Sequence, residues 1–126
     1  VTGYITFGAK FLDAECFRIV LVNMCKHLCN TKNEYTLSKQ LLRSGTSIGA
    51  NLAEAQQAQS KADFATKMNI ALKEASETEY WLELLSDAKY LSPTMADSIM
   101  EDCRRLNRIL TSIVKTTFEN IAANKK

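Results

Sequence analysis

The run FATKMNIALKEASETEYWLELL, residues 64–85, decides the fold. Phe64, Met68, Ala71, Ala75, Thr78, Leu82 and Leu85 recur in it at alternating steps of four and three residues. That spacing lays all seven along one stripe of an α-helix, whereas a half-buried strand would alternate every second residue. The run holds no glycine or proline to interrupt the helix. A helix over about 61–90 follows. Such a stripe is stable only when other apolar surfaces cover it.

Working outward, the partners appear in order. Ser60 reads as the N-cap of this helix, and Asp63, three residues on, completes a capping-box-like pattern. Downstream, Ser92-Pro93 marks a restart, because serine caps and proline suits the first helical position. A fourth helix over about 93–121 carries Ile99, Cys103, Leu106, Leu110, Ile113 and Thr117 at the same spacing. Upstream, a second helix over about 36–59 places Leu37, Leu41, Ile48, Leu52 and Ala55 on one side. The polar joint Asn30–Asn33 separates it from a first helix over about 8–29, striped by Phe11, Ala14, Phe17, Leu21, Met24 and Leu28. Four amphipathic helices of similar length with short joints predict an all-α, up-and-down antiparallel four-helix bundle, a single domain over residues 1–126.

Composition narrows the function classes. Apolar residues make up 46% of the 126, too many for a disordered chain. The formal net charge of +2 does not mark a nucleic-acid binder by itself. No apolar run reaches the roughly 20 residues of a membrane span. Arg18 and Asn23 interrupt the stretch Cys16–Cys25, which lacks the basic start and cleavage-like end of a signal peptide. The expectation is a cytoplasmic protein with no membrane partner. Cys16, Cys25, Cys29 and Cys103 read as reduced thiols that pack as small hydrophobes.

The second helix contains a run that resists helix formation, Arg43-Ser44-Gly45-Thr46-Ser47-Ile48-Gly49-Ala50-Asn51. Each glycine costs about 1 kcal/mol against alanine, so something must compensate. Gly45 and Gly49 clear one side for a neighbouring helix. Arg43, Ser47, Asn51 and Glu54 lie along another side, and Glu74, Glu77 and Trp81 form a comparable row on the third helix. Three readings stay open. The rows meet in a polar seam, with Arg43 or Asn51 bonded to Glu74 or Glu77; they are two solvated faces; or they line a pocket. A seam would set helix register at some cost in stability.

The inventory speaks against an enzyme. A di-iron carboxylate bundle needs Glu-x-x-His pairs, and here Glu74 and Glu77 form Glu-x-x-Glu. The sole histidine, His27, gives a nucleophile–base pair little support. No catalytic residue, metal ligand or cofactor site is expected.

Two surfaces point to partners. Tyr80, Trp81, Leu84, Ala88 and Leu91 form a second apolar strip on the third helix, more than one bundle can hide. An apolar patch of this kind on a soluble chain usually meets another molecule, so self-association through Tyr80, Trp81, Leu84 and Ala88 is expected. Glu79, Glu83 and Asp87 make an acidic stripe on the third helix. Arg104, Arg108 and Lys115, with Arg105 beside them, make a basic one on the fourth. These stripes either pair as exposed ion pairs, or repeat around an assembly and hold phosphate backbones.

The motifs Leu42–Ala55, Lys61–Phe64 and Ala71–Leu85 together resemble the bacterial 23S rRNA intervening-sequence proteins, over about Phe11 to Val114. The resemblance places family-pattern residues at Arg43, Ser44, Ser47, Asn51, Glu54, Phe64 and Glu77. Glycine at 45 and 49, where serine or alanine is the family's habit, and Ala55, where glycine is frequent, are departures that bear on packing. It implies a non-enzymatic, structural or interaction protein that forms a homo-oligomer, a ring-shaped homopentamer above all, with ribosomal RNA or a ribonucleoprotein as partner. An alternative implied by the same likeness is a nucleic-acid-binding accessory factor, similar to the accessory variability determinant proteins of diversity-generating retroelements.

Overall fold

The computed structural model describes the backbone of residues 2–124 and the side chains of residue 14 and residues 16–124. Four helices follow one another: α1 (Thr2–Lys32), α2 (Thr36–Gln56), α3 (Lys61–Asp87) and α4 (Pro93–Asn124). Joints this short turn each helix back beside its predecessor. The helices touch in cyclic order, α1 on α2, α2 on α3, α3 on α4 and α4 on α1, and the last of these seams is the thinnest. Among the described residues the diagonal pairs show no close backbone approach. The stripes meet in the middle, where Leu21, Leu28, Leu41, Ile48, Met68, Leu82, Leu85, Ile99 and Leu110 are buried. Burying one such side chain contributes about 1.5–3 kcal/mol, so this core outweighs the helix-breaking run in α2.

The predicted boundaries shift for reasons of chain closure. α2 ends at Gln56, short of the expected 59, because Gln57 and Ala58 turn back onto the carbonyls of Glu54 and Ala55. Ser60 caps α3 as expected, accepting from Asp63 N at 3.0 Å, while Asp63 Oδ2 accepts from Gln59 N at 3.3 Å. α3 ends at Asp87, short of the expected 90. Lys89 adopts φ 69°, and Tyr90 N bonds back to Leu85 O at 3.0 Å, closing the end in a left-handed turn without glycine. Ser92 Oγ accepts from Met95 N at 3.3 Å beside Pro93, as the restart predicts. α1 runs on to Lys32 and α4 to Asn124, each beyond its expected end.

The stripes need small corrections. Val114 is buried and Ile113 only partly so, which moves the α4 stripe by one residue near its end. Cys25 and Cys103 are buried, Cys29 is half-buried, and Cys16 is exposed, so the small-hydrophobe reading fails for Cys16. Leu91 is also buried, which removes it from the unburied second strip. The Phe11 side chain, Val1, Lys125 and Lys126 lie outside the described residues.

The start of α2 has a cap that spacing did not reveal. Tyr35 occupies the N-cap position without a capping side chain. The Glu34 carboxylate, buried beside it, takes that role. Oε1 accepts from Thr36 N at 3.2 Å and Leu37 N at 2.9 Å, and Oε2 accepts from Ser38 N at 2.7 Å. Three amides without intrahelical partners are thus satisfied by one carboxylate, whose charge also suits the positive end of the helix.

Candidate functional site

The α2–α3 seam joins a dry layer to a charged one. In the dry layer Ser44 and Thr78 are fully buried. Thr78 Oγ1 donates to Ser44 Oγ at 2.9 Å, with the Glu74 carbonyl as its alternative acceptor at 2.8 Å. This bond lets two hydroxyl residues enter a core without an unsatisfied group. It also explains why a threonine sits within an otherwise apolar stripe.

Above it, the structure brings Arg43, Glu74 and Glu77 together. Arg43 Nη2 donates to Glu77 Oε1, and Arg43 Nη1 lies 3.5 Å from Glu74 Oε2. The second approach is close enough for charge attraction but is not a hydrogen bond, and Glu74 Oε2 is buried with no hydrogen-bond partner. Trp81 Nε1 also donates to Glu77 Oε1, at 3.3 Å. The Arg43 hydrogen bond, helped by Trp81, holds the Glu77 carboxyl below its ordinary range despite burial acting the other way. Burial first, and then the neighbouring Glu77 charge, push Glu74 up in spite of Arg43. The hydrogen bond to Glu77 raises Arg43 further. Two carboxylates on one half-exposed guanidinium leave the cluster one negative charge in excess.

The rest of the expected seam is arranged differently. Asn51 does not reach Glu74 or Glu77; its Nδ2 donates to Ser47 O at 2.9 Å, one turn back on its own helix. Ser47 contributes that carbonyl. Glu54 pairs with Lys67 Nζ at 2.9 Å instead. The seam therefore has two anchors, Arg43 with the glutamates and Glu54 with Lys67, and they lie on opposite sides of Ser47. Thr78 and Lys67 are the members sequence spacing missed. Thr78 reads as core in any hydropathy pattern, and only its register against Ser44 reveals its role.

Gly45 sits on the other flank of α2, against α1. A Cβ there would lie 2.3 Å from Leu21 Cδ1, so this glycine permits close approach of the two helices. Gly49 has no such duty: its nearest neighbour would be Arg18 Cδ at 3.9 Å.

On the outer side of α3, Tyr80 is 57% exposed and Ala88 is exposed, while Leu84 is half-buried. Trp81 is half-buried and packs against the core while meeting the Tyr80 ring edge-on, centroids 5.1 Å apart. The strip stays on the surface of the single chain.

Across the bundle, the charge stripes partly pair. Arg104 Nε lies 3.6 Å from Glu79 Oε1, and its Nη2 lies 3.7 Å from Glu83 Oε1. Asn107 Nδ2 donates to Glu79 Oε1 at 3.4 Å. Arg104 is thus engaged by α3 carboxylates, which takes it out of the open basic stripe. Arg105, Arg108 and Lys115 are exposed on α4. A groove of about 500 Å³ between α3 and α4 sets Arg104 and Arg108 among Glu83, Asp87, Asp97 and Glu101, so positive and negative charge alternate there.

Among the described residues no group of three or more His, Cys, Asp or Glu side chains is placed to hold a metal ion. Likewise, no helix there is long and apolar enough to cross a membrane.

Comparison with known proteins agrees with this architecture. No curated protein matches the chain. Among solved structures, a protein of unknown function from the S23 ribosomal protein family of Bacteroides thetaiotaomicron superimposes with a TM-score of 0.84. It is 50% identical, and the match covers 86% of this chain and 97% of that one. The family profile described as 23S rRNA-intervening sequence protein matches residues 12–112, a span that holds the polar seam, the α3 strip and most of α4. With a profile match over residues 12–112 and a 50% identical family structure of the same fold, the chain belongs to the 23S rRNA-intervening sequence protein family.

Proposed function

We propose that the chain is a non-enzymatic interaction protein that assembles with copies of itself, as a pentamer, through the outer face of α3. The observation that carries this reading is the strip at Tyr80, Trp81, Leu84 and Ala88. It places a tyrosine 57% exposed on the rim of a tryptophan, left uncovered by the described residues of the same chain. Aromatic residues on a half-wet apolar face are the usual anchors of protein interfaces. Several polar groups elsewhere are occupied with one another. Arg43 holds Glu77, Ser44 holds Thr78, and Glu34 holds the first amides of α2, an arrangement that serves register and rigidity. Sedimentation velocity tests the reading. The native chain should sediment as an oligomer, and Tyr80→Glu should give smaller particles with unchanged helicity. A native monomer across the micromolar range, or an unaltered mass in Tyr80→Glu, refutes it.

A ribosomal RNA or ribonucleoprotein partner is the second element of the proposal, in keeping with the family's description as 23S rRNA-intervening sequence proteins. The surface to meet phosphates is the exposed α4 face at Arg105, Arg108 and Lys115, repeated around the assembly. Arg104 plays a smaller part because Glu79 and Glu83 already engage it. Retention of RNA that weakens steeply with salt, and falls in Arg108→Glu/Lys115→Glu without loss of assembly, supports this role. Equal retention by both proteins removes it, and with it the reading as a nucleic-acid-binding accessory factor.

A further inference from the structure

We propose that Glu74 is a proton-binding site inside the α2–α3 seam, and that the seam is tightest when Glu74 is protonated and Glu77 is ionised. The geometry supplies the reason. Glu74 and Glu77 stand one turn apart on α3 and converge on a single cation, Arg43 of α2. Arg43 gives its hydrogen bond to Glu77, so Glu77 is the carboxylate whose charge is answered. Glu74 Oε2 is closed off from solvent and accepts no hydrogen bond. A buried acceptor left in that state is costly when it carries charge. A proton on Glu74 removes the excess negative charge and makes the carboxyl a donor, one turn from the Glu77 carboxylate on the same helix. Arg43 is the charged group facing Glu74 from α2, and Glu77 is the one facing it from α3 itself. α4 meets the opposite flank of α3, through Arg104 and Asn107 on Glu79.

The pH dependence follows from the two opposite displacements. Glu74 is raised, so its contribution is fully present below the ordinary glutamate range and is lost as pH rises through its own higher value. Glu77 is lowered, so its contribution is present above the ordinary range and is lost as pH falls through its own lower value. Both contributions are in place together around the ordinary glutamate range, on the acid side of neutrality. The seam is therefore a device that firms up on mild acidification.

Trp81, the sole tryptophan, donates to Glu77 and reports the state of the cluster directly. Its fluorescence should show a step on titration with a midpoint above the ordinary glutamate range. Glu74→Gln should abolish that step, whereas Glu83→Gln, outside the cluster, should retain it. Glu74→Gln should also raise the thermal midpoint at pH 7, because the amide mimics the protonated acid, and Glu77→Gln should lower it. A midpoint at or below the ordinary range overturns the proposal. So does a lower thermal midpoint for Glu74→Gln at pH 7, the result expected if Glu74 served as a plain salt-bridge partner. Carboxyl carbon NMR of Glu74 provides a second readout that does not depend on the indole, with the same midpoint expected and the same result refuting.

Discussion

Replacing each of the two α2 glycines by alanine is chemically the same change, yet the structure assigns the two opposite signs. In an open helix position Gly→Ala stabilises by about 1 kcal/mol, through lower backbone entropy in the unfolded chain and better helix propensity. Gly49 is such a position, since its new methyl would meet only Arg18 Cδ at an ordinary 3.9 Å. Gly49→Ala should therefore add about 1 kcal/mol. At Gly45 the methyl would fall 2.3 Å from Leu21 Cδ1 and 3.5 Å from Leu21 Cγ. Leu21 is fully buried, so its side chain has little room to swing aside. Overpacking of a closed core costs about 1–3 kcal/mol. Set against the propensity gain, Gly45→Ala should cost up to about 2 kcal/mol, and the two variants should differ by about 1–3 kcal/mol. Urea unfolding by circular dichroism, at one fixed protomer concentration because association shifts apparent stability, measures both. The cycle with Leu21→Ala isolates the contact. Leu21→Ala alone should cost about 2–5 kcal/mol, but less in the Gly45→Ala background, where the shortened side chain makes room for the methyl. Equal effects at 45 and 49, or additive behaviour in the cycle, would show that Gly45 is not there to seat Leu21.

Other perturbations have equally definite outcomes. Glu34→Ala strips three amide hydrogen bonds from the start of α2 and should cost about 1–3 kcal/mol in the same assay, with Glu34→Gln costing less. Lys89, held at φ 69°, should become about 0.5–1 kcal/mol more stable as glycine, whereas Asn33→Gly at φ 53° should change little, since asparagine tolerates that backbone. Burial pushes the Cys25 thiol up to about 11 and the Cys103 thiol up to about 12. Both should therefore stay protonated and unreactive at pH 8 while exposed Cys16 is alkylated first; mass spectrometry of limited labelling reads the order, and rapid labelling of Cys103 in the native state would refute its burial.

Much of the fold can be read from periodicity. The unbroken four–three spacing of Phe64 to Leu85 requires a helix, and its buried members Met68, Ala71, Ala75, Leu82 and Leu85 are those the stripe names. Ser60 and Ser92 are equally legible, because a cap acts on amides two or three residues away along the same chain. The less legible features either use a residue type that sequence patterns do not flag or join groups from different segments. Nothing in the spacing marks Lys89 as the left-handed residue that ends α3, since that end forms only when Tyr90 N finds Leu85 O. Glu34 looks like a solvated joint residue until the turn brings its carboxylate under the α2 amides. Asn51 and Glu54 share a row with Arg43 in sequence, yet only Arg43 meets the glutamates.

The sequence alone thus determined that four apolar-striped helices must pack together, because hydrophobic burial depends on which residues recur on a face and is nearly indifferent to partner identity. It determined family membership through the motif around Arg43 and Ser47. Which polar groups answer one another was decided only by the tertiary structure. A hydrogen bond or ion pair depends on ångström-scale register between helices, and a shift of one residue along α2 or α3 would exchange Arg43's partners. The same register placed Gly45 against Leu21, left Gly49 open, and buried one oxygen of Glu74 beside a cation already committed to Glu77.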